Sequence, residues 1–415
     1  MAHLAKSFLH CDAHTPACGV LCKPPKGTDV LVAGFSCKDL SRKHSELAMQ
    51  PAEVRHSVLE NKTGTSGSTF EGVCAHVAAA QPAIVILENV DELSKSLNMV
   101  HLYETFRHLG YAGSHEILCS SNYGLPQVRK RVYVVLLNAK TFKQTEEEAN
   151  ASAKSMLAVS KSVQLKQQEP LASFLQEREH DDTVKEFNRR KEASTGNKAE
   201  ATWHSAHEQY LNSRGMTWRD AVAPQEVRSS PWFSLLPARE KDILGVHLFE
   251  STKAKSCVFG VDLNPRIDRP SFCRDGMMCA ITPGSKLWLA KCCCTSRTCA
   301  QATRQWQHKC QRLVTGGEAL ALQGYPKQWL DKAAAGGELP GDVLLMDLAG
   351  NAFPCTVMGA VMLGVFTRMP RDRERRPPQE KNEHIDVGDL LSLVAELPSN
   401  CEFSCGHRVA SAHVA

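Results

Sequence analysis

The sequence predicts an α/β fold with a parallel sheet, and three observations carry that reading. Short runs rich in Val, Ile, Leu and Ala recur between residues 29 and 138, segments of helix length separate them, and Gly or Pro marks most junctions. Strands joined through helices require crossover connections, which are right-handed within one sheet.

Residues 29 to 33 form the first predicted strand, and Gly34 permits a turn that presents Cys37 at the strand's C-terminal end. Sheets of this kind place their active sites at that edge. After a polar stretch to Gly67, residues 69 to 80 read as an amphipathic helix, and Pro82 precedes a strand over 83 to 87. A helix over 93 to 109 stops at Gly110, the position a C′ glycine occupies. Strands over 112 to 118 and 131 to 138 complete the block.

Around it the composition shifts. Residues 1–28 read as a disordered lead-in and 29–138 as the catalytic α/β part. Residues 139–230, rich in Lys, Glu, Gln, Ser and Ala, read as a helical or disordered insertion. Residues 231–311 carry short strands and turns, a smaller β-rich region. Strong pattern returns over 312–370, and the run Arg371-Asp-Arg-Glu-Arg-Arg376 opens a weakly structured tail, 371–415.

The 415 residues are 42% hydrophobic and 23% charged, an ordinary globular balance and enough chain for two domains. No uninterrupted run of about 18 apolar residues occurs, so no membrane partner is expected. The first twenty residues lack the apolar stretch of a secretory leader, which predicts an intracellular protein. The 17 cysteines are then expected as reduced thiols. A net charge of +4 neither requires nor opposes a nucleic-acid partner.

Two reactive groups are expected on one sheet edge. Glu88-Asn89-Val90 follows directly on an apolar strand, as Cys37 does, and apolar neighbours would raise the pKa of Glu88 until it could donate a proton near neutrality. Gln127, Arg129 and Arg131 fall at i, i+2 and i+4 of a predicted strand, which would put one amide and two guanidiniums on one face. Such a face suits a base edge or an anionic backbone. No metal site is expected. His204, His207 and Glu208 share a helix face that reads as solvated, and Cys292, Cys293, Cys294, Cys299 and Cys310 lack paired Cys-x-x-Cys spacing.

The order Ser36-Cys37, Glu88-Asn89-Val90, Gln127-x-Arg129-x-Arg131, Arg312-x-x-Thr315-x-x-Glu318 with Leu322-Gln323-Gly324-Tyr325-Pro326, and Gly350-Asn351-Ala352 resembles the C5 cytosine DNA methyltransferase family. Five motifs in the family order make the resemblance specific. It covers roughly residues 29 to 138 and 270 to 366, with the family's variable target-recognition part between them.

The resemblance implies a Rossmann-like methyltransferase sheet, S-adenosyl-L-methionine as methyl donor, and DNA with a flipped cytosine as substrate. It makes Cys37 the thiolate that adds to carbon 6 of cytosine and so turns carbon 5 into a nucleophile. Glu88 would hold or donate a proton at ring nitrogen 3, with Arg129 and Arg131 steadying the ring and the site. Ser36 and Gln127 would support the site, Asn89 would shape the Cys37 loop through hydrogen bonds, and Asn351 and Ala352 would line the donor pocket. Arg312 and Glu318 read as structural. With DNA as substrate the nucleus is the expected location in a eukaryote.

Two departures from the family pattern stand out. Ser36 occupies the place where family members usually have Pro, and no Gly-x-Gly turn for the donor occurs anywhere in the sequence. The sequence therefore predicts an N-terminally incomplete member that lacks its first strand or strands, and whose donor half a protein partner could supply or compensate. A non-catalytic DNA-binding or regulatory remnant is the second reading. An RNA cytosine methyltransferase is the third, and the Cys-Phe-Thr signature of that branch is absent.

Overall fold

The computed structural model describes residues 28–41, 57–165, 167–193, 201–253, 258–268, 271–274, 276–290, 309–335, 341–370 and 410–413. In chain order its main elements are β1 (Val30–Gly34), α1 (Gly64–Ala80), β2 (Ile84–Val90), α2 (Leu97–His108), β3 (Tyr111–Cys119), β4 (Lys130–Asn138) and α3 (Glu146–Ser162). Next come α4 (Asp181–Ala193), α5 (Ala201–Ser213), α6 (Ala238–Lys253), β5 (Val258–Asp262), β6 (Ser271–Arg274), β7 (Leu287–Leu289) and β8 (Arg312–Leu313). Then follow α7 (Gly316–Leu322), α8 (Lys327–Ala335), α9 (Asp342–Asn351), α10 (Cys355–Arg368) and β9 (Ala410–His413). The chain divides into two compact units, one comprising 1–117, 131–162 and 361–415, the other 118–130 and 163–360.

The first unit is built on a sheet of order β3-β4-β2-β1-β9. Strands β1 and β2 pair in parallel from Val30 opposite Ile84 to Gly34 opposite Glu88, and β9 runs parallel to the other edge of β1. The sheet is mixed and not parallel throughout, because β4 pairs antiparallel to β2, from Ile84 opposite Leu137 to Val90 opposite Arg131. The reason lies in the connection before β4. Only residues 120–129 join β3 to β4, too few for the crossover of a dozen or more residues that a parallel neighbour needs. The chain reverses instead, with Ser120 N donating to Arg129 O at one end and Ala139 N to Gly110 O at the other.

All seven residues of β2 are buried, so its run of Ile, Val and Leu reads as a strand covered on both faces. Leu31, Ala33, Val85, Leu87, Val134 and Leu136 share one core with Phe70, Val73 and Val77 of α1 and Met99, Leu102 and Phe106 of α2. Burial of each large side chain there contributes about 1.5–3 kcal/mol. Helix α1 begins at Gly64, five residues before the apolar pattern starts, since its first turn consists of small polar residues.

In the second unit a four-stranded sheet, order β6-β5-β7-β8, pairs antiparallel throughout. Trp288 and Leu313 from this sheet pack with Leu211 of α5 and Ile243, Leu244 and Val246 of α6, while Leu287 and Leu289 join a second core with Leu320 and Leu322 of α7 and Leu345, Met346 and Ala349 of α9. Arg312 is fully buried and pairs with the buried Glu318, whose carboxylate also closes a capping box with Thr315. Burial opposes ionisation of Glu318, yet Arg312 and the N–H groups of Thr315 and Gln176 hold its carboxyl below the usual range.

The stretch Asp342–Arg368 is long and apolar enough by composition to cross a membrane, with a mean hydropathy of 1.5. It consists of α9 and α10 interrupted before Pro354, and 56% of its most apolar window is buried in the protein. Its apolar character is that of core helices. Of the cysteine cluster, Cys310 is buried, and Cys292, Cys293, Cys294 and Cys299 lie outside the described residues, as do 1–27 and most of the tail.

Candidate active site

The turn after β1 puts Cys37 on a short, heavily anchored loop. Phe35 is buried and its ring lies 5.2 Å from that of Phe70, so the loop enters from the core. Asn89 Nδ2 donates to Phe35 O at 2.9 Å, and Asn89 Oδ1 accepts from Val90 N at 2.8 Å. Both functions of one buried amide are thereby used to tie the loop to the end of β2. Beyond Cys37 the chain turns, with Leu40 N and Ser41 N both donating to Cys37 O. The Cys37 side chain is partly exposed.

Glu88 lies on the neighbouring strand, opposite Gly34 in the parallel register and opposite Tyr133 in the antiparallel one. Arg131 Nε approaches Glu88 Oε1 at 3.2 Å, and the two side chains are only 13% and 10% exposed. An ion pair this sheltered from water is screened little by salt. The first unit thus brings Cys37, Glu88, Asn89 and Arg131 to the C-terminal edge of β1 and β2.

Gln127 and Arg129 are placed differently. Strand β4 begins at Lys130, so the expected single face carrying Gln127, Arg129 and Arg131 does not form. Pro126 and Gln127 instead bridge to Met278, with Met278 N donating to Pro126 O and Val128 N to Met278 O. Arg129, buried within the second unit, donates to Ile281 O at 2.6 Å, Gly350 O at 3.0 Å and Ala352 O at 3.2 Å. Gln127 is fully buried there, and neither atom of its amide finds a hydrogen-bond partner among the described residues.

Asn351 is exposed at the end of α9, whereas Ala352 is buried. A Cβ added to Gly350 would lie 2.1 Å from Pro283 N, so this segment is pressed against the backbone around Thr282 and Pro283. His204 stacks on Trp218 with ring centroids 4.6 Å apart, and His207 is buried with Nδ1 3.4 Å from Asp242.

Sequence reasoning missed three residues at this site: Asp39, Ser66 and Thr69. Asp39 N donates to Ser66 Oγ at 2.9 Å, Ser66 N donates to Asp39 Oδ2 at 2.8 Å, and Ser36 N donates to Thr69 Oγ1 at 3.0 Å. The Gly64-Thr-Ser-Gly-Ser-Thr69 run was the available signal, since small hydroxyl residues ahead of an apolar stretch mark a helix N-terminus.

A thiol and a carboxylate at the C-terminal edge of an α/β sheet suit nucleophilic chemistry assisted by an acid. The chain belongs to the C-5 cytosine-specific DNA methylase family, whose model matches residues 22–365. Among curated proteins it is 25% identical over 376 residues to the DNA (cytosine-5-)-methyltransferase DMT5 of Cryptococcus neoformans, covering 85% of this chain and 14% of that protein. It is 30% identical over 112 residues to the type II methyltransferase M.NgoBI of Neisseria gonorrhoeae, covering 26% of this chain and 31% of that one. The chain therefore spans less than a third of either relative. The solved Dnmt2 methyltransferase of S. pombe aligns over 81% of this chain and 77% of that one, with 14% identity and a TM-score of 0.38.

Proposed function

We propose that this chain carries the cytosine-activating part of a DNA (cytosine-5-)-methyltransferase, with Cys37 as nucleophile. The observation that carries the reading is the Asn89 bridge to Phe35 O, which holds the Cys37 loop to the strand bearing Glu88. Carbon 5 of cytosine is not nucleophilic on its own. Addition of the Cys37 thiolate to carbon 6, with a proton placed on ring nitrogen 3 by Glu88, converts it into an enamine carbon able to accept a methyl group. Arg131 holds the Glu88 carboxyl in place and balances its charge whenever the proton has been given away. Arg129 fixes the segments around Ile281, Gly350 and Ala352. Reaching both faces of the ring requires the base to leave the duplex, so the DNA is bound with one cytosine flipped out.

S-adenosyl-L-methionine is the donor of this reaction and supplies the methyl group when bound. The described residues do not fit it on their own. Within Gly350-Asn351-Ala352, Ala352 O is already an acceptor for Arg129 and only Asn351 offers an exposed polar side chain, and the sequence has no Gly-x-Gly turn. A donor side supplied outside the described residues, including by a partner chain, completes the enzyme in this reading. The same observation favours one other reading, a DNA-binding or regulatory domain without catalysis.

Duplex DNA tritiated at carbon 5 of cytosine, incubated with the chain in the absence of any methyl donor, separates the two. Release of label to water that disappears in Cys37→Ala supports the methyltransferase reading; absence of any release leaves the regulatory one.

A further inference from the structure

The loop bearing Cys37 is held at two points, one on each side of the thiol, by the first turns of a single helix. On the N-terminal side Ser36 N donates to Thr69 Oγ1 at 3.0 Å, and Thr69 Oγ1 in turn donates to Thr65 O at 2.8 Å. On the C-terminal side Asp39 and Ser66 exchange two bonds, Asp39 N to Ser66 Oγ at 2.9 Å and Ser66 N to Asp39 Oδ2 at 2.8 Å. The Asp39 carboxylate thus satisfies an N–H of the first turn of α1 that has no partner within the helix.

Gly64 records how closely this carboxylate is seated. It has a φ of +64°, and a Cβ placed there would lie 2.4 Å from Asp39 Oδ2. Both the backbone conformation and the space demand glycine. A proline at 36 would lack the N–H that Thr69 receives. This chain therefore replaces a covalently fixed φ with a tertiary hydrogen bond next to the thiol.

We infer that Asp39, Ser66 and Thr69 are positioning residues that clasp the Cys37 loop to the start of α1 and set the thiol's placement before any substrate arrives. The inference rests on the proposed role of Cys37, but the clasp itself has a readout that does not. Thiol placement governs the rate of attack steeply, since a misplacement of about 1 Å costs on the order of 100-fold.

The test uses the full chain and two pairs of variants. Asp39→Ala and Thr69→Val remove the acceptors, while Asp39→Asn and Thr69→Ser retain an oxygen at the same place. Alkylation by iodoacetamide is followed peptide by peptide, with the buried Cys310 and the half-buried Cys74 as internal controls. In parallel, loss of tritium from DNA labelled at carbon 5 of cytosine is measured without a methyl donor. Opening of the clasp in D39A and T69V raises Cys37 alkylation about threefold or more with the controls unchanged, and lowers tritium release about tenfold or more, whereas D39N and T69S stay near wild type. Equal Cys37 alkylation in all five proteins overturns the inference, as does a rise shared by Cys74 and Cys310, which marks general unfolding. If wild type releases no tritium while the Cys37 alkylation pattern holds, the proposed function fails and the clasp stands.

Discussion

Asn89 Nδ2 donates to Phe35 O across 2.9 Å, joining two residues 54 positions apart, and this bond brings the loop carrying the cysteine to the strand carrying the glutamate. The amide is buried and its other atom accepts from Val90 N. Asn89→Ala leaves two buried backbone groups without partners and destabilises the chain by about 1–3 kcal/mol. Asn89→Asp keeps the acceptor for Val90 N but sets a carboxylate against a carbonyl, and costs at least as much. Urea midpoints of the two variants, read with unchanged slopes, check this.

Glu88 and Arg131 form a sheltered pair at 3.2 Å, so removal of one partner is worse than removal of both. Arg131→Met leaves a poorly solvated carboxylate and costs about 3–5 kcal/mol, while adding Glu88→Gln recovers a good part of the loss. A double-mutant cycle in urea checks the coupling; strictly additive effects would show that the pair is spent on solvent.

Arg129 is a buried cation of the second unit with three backbone carbonyls as acceptors. Arg129→Lys retains the charge but cannot reach three acceptors in a fixed plane, and should lose about 2 kcal/mol or more. Protection of the backbone amides around Thr282 and Asn351 against hydrogen exchange falls first, which mass spectrometry can follow.

Two carboxyls of the second unit titrate in opposite senses. Burial, together with the neighbouring Glu186, pushes Asp342 up to about 7, against the N–H of Gly316 and the guanidiniums of Arg190 and Arg189. Its native pKa lies above the unfolded one, so the native state binds the extra proton in that interval and stability falls as pH rises from about 4 to 7. Glu318 is held below the usual range in the native state, so its contribution is present above the unfolded pKa and lost as pH falls through the native one. Asp342→Asn keeps an acceptor for Gly316 N and removes the charge. Its melting temperature exceeds that of wild type at pH 8 and matches it at pH 4.5.

Much of this arrangement was legible in the sequence, and the losses have physical causes. The strands bearing Cys37 and Glu88 are apolar runs ending in polar turns, a pattern of period and punctuation that needs no tertiary knowledge. Direction of pairing carries no such mark. Strand β4 has the same composition as a parallel strand, and only the length of the link over 120–129 reverses it. The expected face of Gln127, Arg129 and Arg131 failed because alternation was extended back from Lys130 to Gln127, into residues that pair with Met278. The Asp39 clasp was hidden because its partners Ser66 and Thr69 are 27 and 33 residues from the atoms they bind, and hydroxyl residues mark a helix start without naming what they hold.

The central claim is that this chain activates cytosine through Cys37, and hydrogen exchange tests it without any methyl donor. Thiolate addition to carbon 6 makes carbon 5 nucleophilic; in the absence of a methyl group it takes a proton from water, and reversal then expels the original hydrogen. DNA tritiated at carbon 5 of cytosine should release label to water with wild type and not with Cys37→Ala, and release should fall about 100-fold or more in Glu88→Ala. Label that stays in the DNA, or that is released equally by Cys37→Ala, would contradict the account.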